Sequence, residues 1–341
     1  MELSRTINSD KRYYLDENTI ENAASFLQTM RVFNDAKIDL YNALYDQKYL
    51  VSGPLIDHAY PVFLKEKYKT NDYYNAAIYS AASGSLSSQK ELKKYYSTTI
   101  TADLKTRDEK IQTIQEALDK KKAVKNSIRI YRKDGRWITP YPRCQLKVKG
   151  LMIVLFNKTI VKLDEYERSV EADIRKLKTR LALVTEARRR KEKKLENIKN
   201  LPPERIVFGG KKLYSEKDTV GITKSAEDNK TSQKALKEWK QEFFEKRHQS
   251  MALPGRHTSK YGNFLCKYDG KDLSVTCIDG TTTVFHDFKL PRYNEAFQNN
   301  FTCKPEDRQS VCYNFTVKRD RKNRQYIIVS VTMKLQAYEN S

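Results

Sequence analysis

Leu163-Asp-Glu-Tyr166-Glu-Arg-Ser-Val170-Glu-Ala-Asp-Ile174-Arg-Lys-Leu177-Lys-Thr-Arg-Leu181-Ala-Leu-Val184 steps its apolar residues by threes and fours. A helix with one packed face produces that spacing. Arg188 and Lys191 fall in the same phase before Leu195 and Ile198 resume it. Two cations inside the seam argue against an extended coiled coil, so a neighbouring helix in the same chain is the expected partner. Asp164, Glu165 and Glu167 crowd the first turns, whereas Arg188 to Lys194 is almost wholly basic, the polarity a helix dipole favours. Pro202-Pro203 stops the run. One long antiparallel-packed helix therefore anchors the reading, and the rest of the chain is placed around it.

Upstream, the period changes. Ile128, Ile130 and Trp137 flank Asp134-Gly135, a strong hairpin signal. Gln145 to Lys149 alternates, and Leu151 to Phe156 is a short apolar run, so a small antiparallel sheet is expected over 128–160. Nearer the N-terminus, Lys11 to Leu15 reads as a strand and Asp16 as the cap of a helix opening at Thr19 and Ile20. That helix carries Ala23, Ala24, Leu27, Met30 and Phe33, continues from Asn34 to Tyr45, and breaks at Gly53-Pro54. Asn71 to Ala82 reads as a second helix, and a third begins at the serines Ser87-Ser88 and ends near Ala123.

Downstream of the prolines, Lys217 to Gln233 is polar and reads as a mobile loop, followed by a helix from Lys234 to Arg247 with Trp239, Phe243 and Phe244 near one face. From Tyr261 onward the chain is β-rich. Asp269-Gly270 and Asp279-Gly280 separate the strands Phe264–Tyr268, Leu273–Cys277 and Thr283–His286, while Val311–Val317 and Tyr326–Leu335 pair across a basic turn. The fold class expected is α+β.

Composition says what such a fold would meet. In 341 residues, 65 Lys and Arg oppose 43 Asp and Glu, a formal charge of +22, and there are 22 tyrosines. That excess of like charge is self-repelling unless an anion offsets it, and rings can stack on bases. A polyanion is the partner that uses both, and a merely lysine-rich soluble surface is the plainer explanation. No stretch approaches the ~20 apolar residues of a membrane span. Met1 to Ile7 lacks the core of a signal peptide, so a cytoplasmic protein is expected. Five cysteines without C-x-x-C spacing and four scattered histidines predict free thiols, no metal site and no cofactor.

Several segments resemble one family. Arg205-Ile-Val-Phe-Gly-Gly-Lys-Lys-Leu213 precedes the Trp/Phe-bearing helix; Pro254-Gly-Arg-His-Thr-Ser-Lys-Tyr-Gly-Asn-Phe264 leads into the strands; Tyr326-Ile-Ile-Val-Ser330 closes them. With Tyr73–Tyr79 and Leu86–Leu92, this order resembles the N-terminal half of TnpB-type (OrfB) proteins. These are insertion-sequence-encoded, transposase-associated RNA-guided nucleases related to type V CRISPR effectors. The resemblance implies a first wedge strand in 1–15, a helical recognition lobe over 16–255 and, over 256–341, an oligonucleotide-binding-like β-barrel, the wedge. It further implies guide RNA and target DNA as partners in a bacterial or mobile-element cytoplasm. The family's Mg²⁺-dependent nuclease domain and zinc ribbon would follow Ser341. Their absence here implies a split, decayed or purely regulatory product, with any nuclease half encoded separately.

No catalytic residue emerges from the sequence. Cys277-Ile-Asp-Gly280 resembles the start of a nuclease strand but reads better as a hairpin turn, because no second carboxylate-bearing strand follows. The binding candidates are Arg129, Tyr131, Arg132, Lys133, Arg136 and Trp137 around the expected hairpin, with Arg129 and Tyr131 on one sheet face. Arg188, Arg189, Arg190, Lys193 and Lys194 on the long helix could track a backbone, and Lys318, Arg319, Arg321, Lys322 and Arg324 could hold phosphates from a strand turn. Arg256, Lys260 and Tyr261 gain weight from the resemblance, and only the resemblance assigns Asn75, Ser88 and Gln89 to DNA bases beside the target. Each basic group could equally be a solvated surface, and Ser88 a helix cap. The alternative function is a basic, helix-rich adaptor that binds a protein through its long helix.

Overall fold

The computed structural model describes residues 2–50, 56–155, 157–222 and 229–336. Its elements run β1 (Glu2–Asn8), β2 (Tyr13–Tyr14), β3 (Ile20–Glu21), α1 (Ala23–Tyr49), α2 (Ile56–Tyr68) and α3 (Asp72–Asp134). A small sheet follows, β4 (Lys147–Lys149), β5 (Met152–Val154) and β6 (Ile160–Lys162), and then α4 (Leu163–Asn200), α5 (Lys211–Ile222) and α6 (Asn229–Arg247). The chain ends with β7 (Ser250–Leu253), β8 (Cys266–Tyr268), β9 (Leu273–Thr276), β10 (Thr282–Phe285), α7 (Asn294–Thr302), β11 (Cys312–Arg319) and β12 (Gln325–Gln336). The mixed helix and antiparallel sheet of an α+β protein is what these elements make. They divide into two compact units, residues 1–89 with 204–341, and residues 90–203. Among the described residues no helix is long and apolar enough to cross a membrane.

In the first unit, Tyr313 and Phe315 on β11 and Ile327, Val329, Val331 and Met333 on β12 are buried at every second position. That period turns one face of the sheet β1-β12-β11-β7, with β2 also on β12, towards the core. A second sheet, β3-β10-β9-β8, carries buried Leu273, Val275 and Phe285. Phe26 of α1 lies edge-on to Phe285 of one sheet (5.2 Å) and to Phe315 of the other (5.0 Å), so one helix binds the two together. The expected closed barrel is therefore replaced, among the described residues, by two separate sheets joined through an aromatic core. The predicted strand pairs across Asp269-Gly270, Asp279-Gly280 and the basic turn all form, and β2, within the strand expected over Lys11 to Leu15, pairs with β12. Asp279 serves its turn, accepting from Thr281 N at 2.9 Å and from Ser25 Oγ at 2.5 Å.

Helix starts and stops depart from the sequence reading in instructive ways. Asp16 is not the cap of α1: Ile20 and Glu21 pair with Phe285 and Val284 as β3, and the helix opens only at Ala23. The expected break at Gly53-Pro54 lies outside the described residues. The second and third helices are one, since α3 runs unbroken from Asp72 to Asp134. Residues 128–134, read as half of a hairpin, are its last turns. Val124 and Ile128 share its buried face, and Gly135, at φ +66, donates its N–H to Tyr131 O at 2.9 Å. Asp134-Gly135 is a left-handed helix terminator, a role that also selects glycine. The segment 217–233 is likewise not a loop where it is described, because 217–222 end α5 and 229–233 begin α6, while 223–228 lie outside the described residues. Trp239 Nε1 donates to Leu213 O at 2.7 Å and holds those two helices together.

The second unit pairs the remainder of α3 with α4. Lys125–Glu171 (2.6 Å), Lys121–Asp173 (2.7 Å), Arg188–Asp108 (2.5 Å) and Lys191–Asp103 (3.1 Å) recede in opposite directions along the two helices, as an antiparallel pair requires. Arg188 and Lys191 do not end the seam; aspartates opposite them carry it on. Ile128, Val124, Leu163, Val170 and Ile153 form a small core where the sheet β4-β5-β6 closes one end. Each buried aliphatic there contributes roughly 1.5–3 kcal/mol.

One titrating group ties strand to strand in the first unit. His286 Nδ1 lies 2.9 Å from Asp272 Oδ2 and Nε2 lies 3.1 Å from Glu21 Oε1, across the β3–β10 pair. The bond to Asp272 raises its pKa above the ordinary 6.5. A raised folded value means the contribution is complete below 6.5 and is lost as pH rises through the folded value. His286→Gln is therefore expected to lower the urea midpoint at pH 6 and to change it far less at pH 9. An equal loss at both pH values would show that the ring acts by packing alone.

Candidate nucleic-acid interface

The sheet-capped end of the second unit gathers positive charge. From Arg129 to Lys162 there are nine Lys and Arg and a single carboxylate, Asp134. Arg129 and Lys133 are exposed on the last turns of α3, and Arg136 lies just past the cap. On a helix, residues 129 and 131 point about 200° apart, so the shared sheet face expected for Arg129 and Tyr131 does not exist. Tyr131 instead packs edge-on to Trp137 at 6.3 Å and donates its hydroxyl to Gly150 O at 3.2 Å. Both rings pack against the small core and are half-buried. Arg132 is held by Asp164 and, at 2.8 Å, by Glu167. The sheet adds what the sequence reading passed over. Its inner face, Val148, Ile153 and Val161, meets the helices, while Lys147, Lys149 and Lys162 stand exposed on the other.

Along α4 the basic run divides in two. Arg188 is engaged by Asp108 and by Glu192 at 2.9 Å. Arg189 and Arg190 share Glu186 at 2.8 and 2.9 Å, and their hydrogen bonds hold that carboxyl down at about 2. Lys193 and Lys194 are exposed and make no ion pair among the described residues.

In the first unit the β11–β12 turn is built around Asp320, whose carboxylate accepts from Lys322 N (2.8 Å), Arg324 N (2.9 Å) and Arg324 Nε (3.1 Å). Arg319 makes two bonds to Glu245, at 2.8 and 2.9 Å. Lys318, Arg321 and Lys322 stay exposed without an ion pair among the described residues. Strand register places Lys318, Tyr326 and Tyr14 side by side on one face. There the Arg324 guanidinium lies 4.2 Å from the Tyr14 centroid, Tyr14 lies 5.4 Å from Tyr326, and the Arg12 guanidinium lies 5.2 Å from Tyr326. This pair of tilted rings with a guanidinium on either side, Arg324 being also held by Asp320 and Glu17, was invisible in the linear sequence, because its halves are some 300 residues apart.

Arg256 is exposed at the rim of a pocket of about 190 Å³ that also holds the stacked pair Tyr73–Phe264, 4.6 Å apart. Lys260 lies over the Tyr261 ring at 5.6 Å. The early-helix candidates are differently placed. Gln89 is buried, accepting from Tyr41 Oη at 2.7 Å and donating to Glu204 O. Asn75 is buried and accepts from Thr70 Oγ1. Ser88 is exposed.

Comparison with known protein families, curated proteins and solved structures finds no match to this chain. The site is thus read from its own chemistry. Among the described residues no group of three or more His, Cys, Asp or Glu side chains is placed to hold a metal ion, and all five cysteines are free thiols. What the arrangement offers is phosphate neutralisation by unpaired cations and stacking by rings and guanidinium planes.

Proposed function

We propose that this chain binds nucleic acid, in the manner of the guide-RNA and target-DNA recognition half of a TnpB-type nuclease, and performs no chemistry of its own. The observation that carries the reading is the exposed turn of Lys318, Arg321 and Lys322, without an ion pair among the described residues, beside Arg12 and the neighbouring rings of Tyr14 and Tyr326. Salt-bridged cations such as Arg319 and Arg324 serve the fold; cations left without a carboxylate beside aromatic rings suit a backbone and its bases. The adaptor reading needs an apolar face on α4, and α3 already occupies that seam.

The test is binding of a structured RNA and a single-stranded DNA at several salt concentrations, read by fluorescence anisotropy. Replacing Lys318, Arg321 and Lys322 together by Ala is expected to weaken binding and to reduce the slope of log K against log salt by about 2, given ~0.7 per phosphate on single strands. Protein that purifies free of nucleic acid and binds neither probe at low salt would defeat the proposal.

A further inference from the structure

A groove of about 640 Å³ lies in the first unit between α1, α6 and the β11–β12 turn. Leu27 and Met30 of α1, Phe244 of α6 and Val317 of β11 contribute its apolar walls. Phe244 is 42 % exposed, its ring lying 4.1 Å from that of His248 and otherwise open to the groove. Of the charged groups around it, Glu242 is matched by Lys246 and Glu245 by Arg319. This leaves Arg31 and Lys318 without an ion pair among the described residues. The Arg31 guanidinium rests 5.1 Å from the Phe244 centroid. Gln249 and Gln325 stand at the edge, and an amide side chain offers the donor and acceptor that a base edge requires.

We propose that this groove receives one unpaired nucleotide of a bound single strand, its base on Phe244 and its phosphates between Arg31 and Lys318. The assignment rests on the nucleic-acid reading above and names a place within it. A flat ring beside unpaired cations is a stacking platform with phosphate anchors. The groove is open rather than enclosed, so a chain can enter and leave it. Beyond Lys318 the turn continues with exposed Arg321 and Lys322, which extend the cationic track past a single residue and favour a strand over a free mononucleotide.

The experiment uses the full chain and a thymidine 12-mer carrying one 2-aminopurine, whose fluorescence falls when its base stacks. Binding is expected to quench the probe. Phe244→Ala should abolish the quenching and weaken binding about tenfold, and Phe244→Trp should restore both. Arg31→Gln leaves the ring in place and should weaken binding while keeping the quenching, so the proposal remains decidable should Phe244→Ala fail to fold. Binding that persists with quenching unaffected by Phe244→Ala, and affinity unaffected by Arg31→Gln, overturns the groove assignment and leaves nucleic-acid binding standing. Adenosine 5′-monophosphate competing as well as the 12-mer overturns the strand as occupant. No binding of the 12-mer at low salt removes the parent reading together with this one.

Discussion

Asn263→Ala is expected to cost about 3–5 kcal/mol of stability, from the loss of several buried hydrogen bonds at once. Asn263 is 2 % exposed and joins three separate stretches of the first unit. Its amide nitrogen lies 3.1 Å from each of Leu253 O, Pro254 O and Val311 O, at the end of β7 and just before β11. Its Oδ1 accepts from Leu265 N (2.9 Å) and Cys266 N (3.1 Å), at the start of β8. Truncation would leave two buried N–H groups and up to three carbonyls short of a partner, where water does not easily reach. Asn263→Asp keeps the acceptor but turns a carboxylate oxygen towards three carbonyls, so it should be no milder. The same junction rejects bulk. A Cβ on Gly255 would sit 2.2 Å from Val311 N, which no side-chain rotation relieves, so Gly255→Ala should destabilise by a comparable amount. Urea unfolding followed by circular dichroism checks both; a loss below about 1 kcal/mol for Asn263→Ala would mean that the surrounding backbone finds other partners.

The features legible from sequence were those whose cause is local. The α4 seam and the Asp-Gly turns of β8, β9 and β10 declare themselves through period and turn chemistry, and they formed where expected. The length of α3 was hidden by Ser83-Gly84-Ser85 and the serines after it, which read as a break. In the fold, Ser83 Oγ donates to Tyr79 O and Ser85 Oγ to Ala81 O, satisfying the hydroxyls within the helix, and Gly84 faces open space. Its cost is only the propensity of one glycine, about 1 kcal/mol, which the buried Ile78, Ala82 and Leu86 outweigh. Whether strands close into a barrel is not a local property, and no period in the sequence carried it. The same holds for the interface. A run such as Arg188-Arg189-Arg190 announces charge but not its partners, and Asp108, which takes the first of them, lies 80 residues away. Arg12 and Tyr14, read only as part of a strand, and Phe244, read only as a ring near a helix face, gave no binding signal, because each becomes notable only beside residues brought from elsewhere in the chain.

Replacing Lys90 to Pro203 by a short Gly/Ser linker is expected to leave the first unit folded while nucleic-acid affinity falls at least a hundredfold. The cut is feasible because Gln89 Nε2 donates to Glu204 O, so the two ends are already neighbours, and a linker of about four residues reaches further than they need. Tyr41 holds both sides of the join, giving its hydroxyl proton to Gln89 Oε1 at 2.7 Å and accepting from Ile206 N at 3.1 Å. The aromatic core around Phe26, Phe285 and Phe315 lies wholly within what remains. Removed are Arg129, Lys133, Arg136, the sheet lysines and Lys193 with Lys194, exposed cations that make no ion pair among the described residues. Binding through many phosphates is steep in their number, so losing even four contacts should exceed two orders of magnitude at moderate salt. An unfolded or aggregated product would show that the first unit depends on the second. A folded product with undiminished affinity would assign the interface to the Arg12–Tyr326–Tyr14–Arg324 cluster and its turn alone, and would make the basic end of the helical pair a solvated surface.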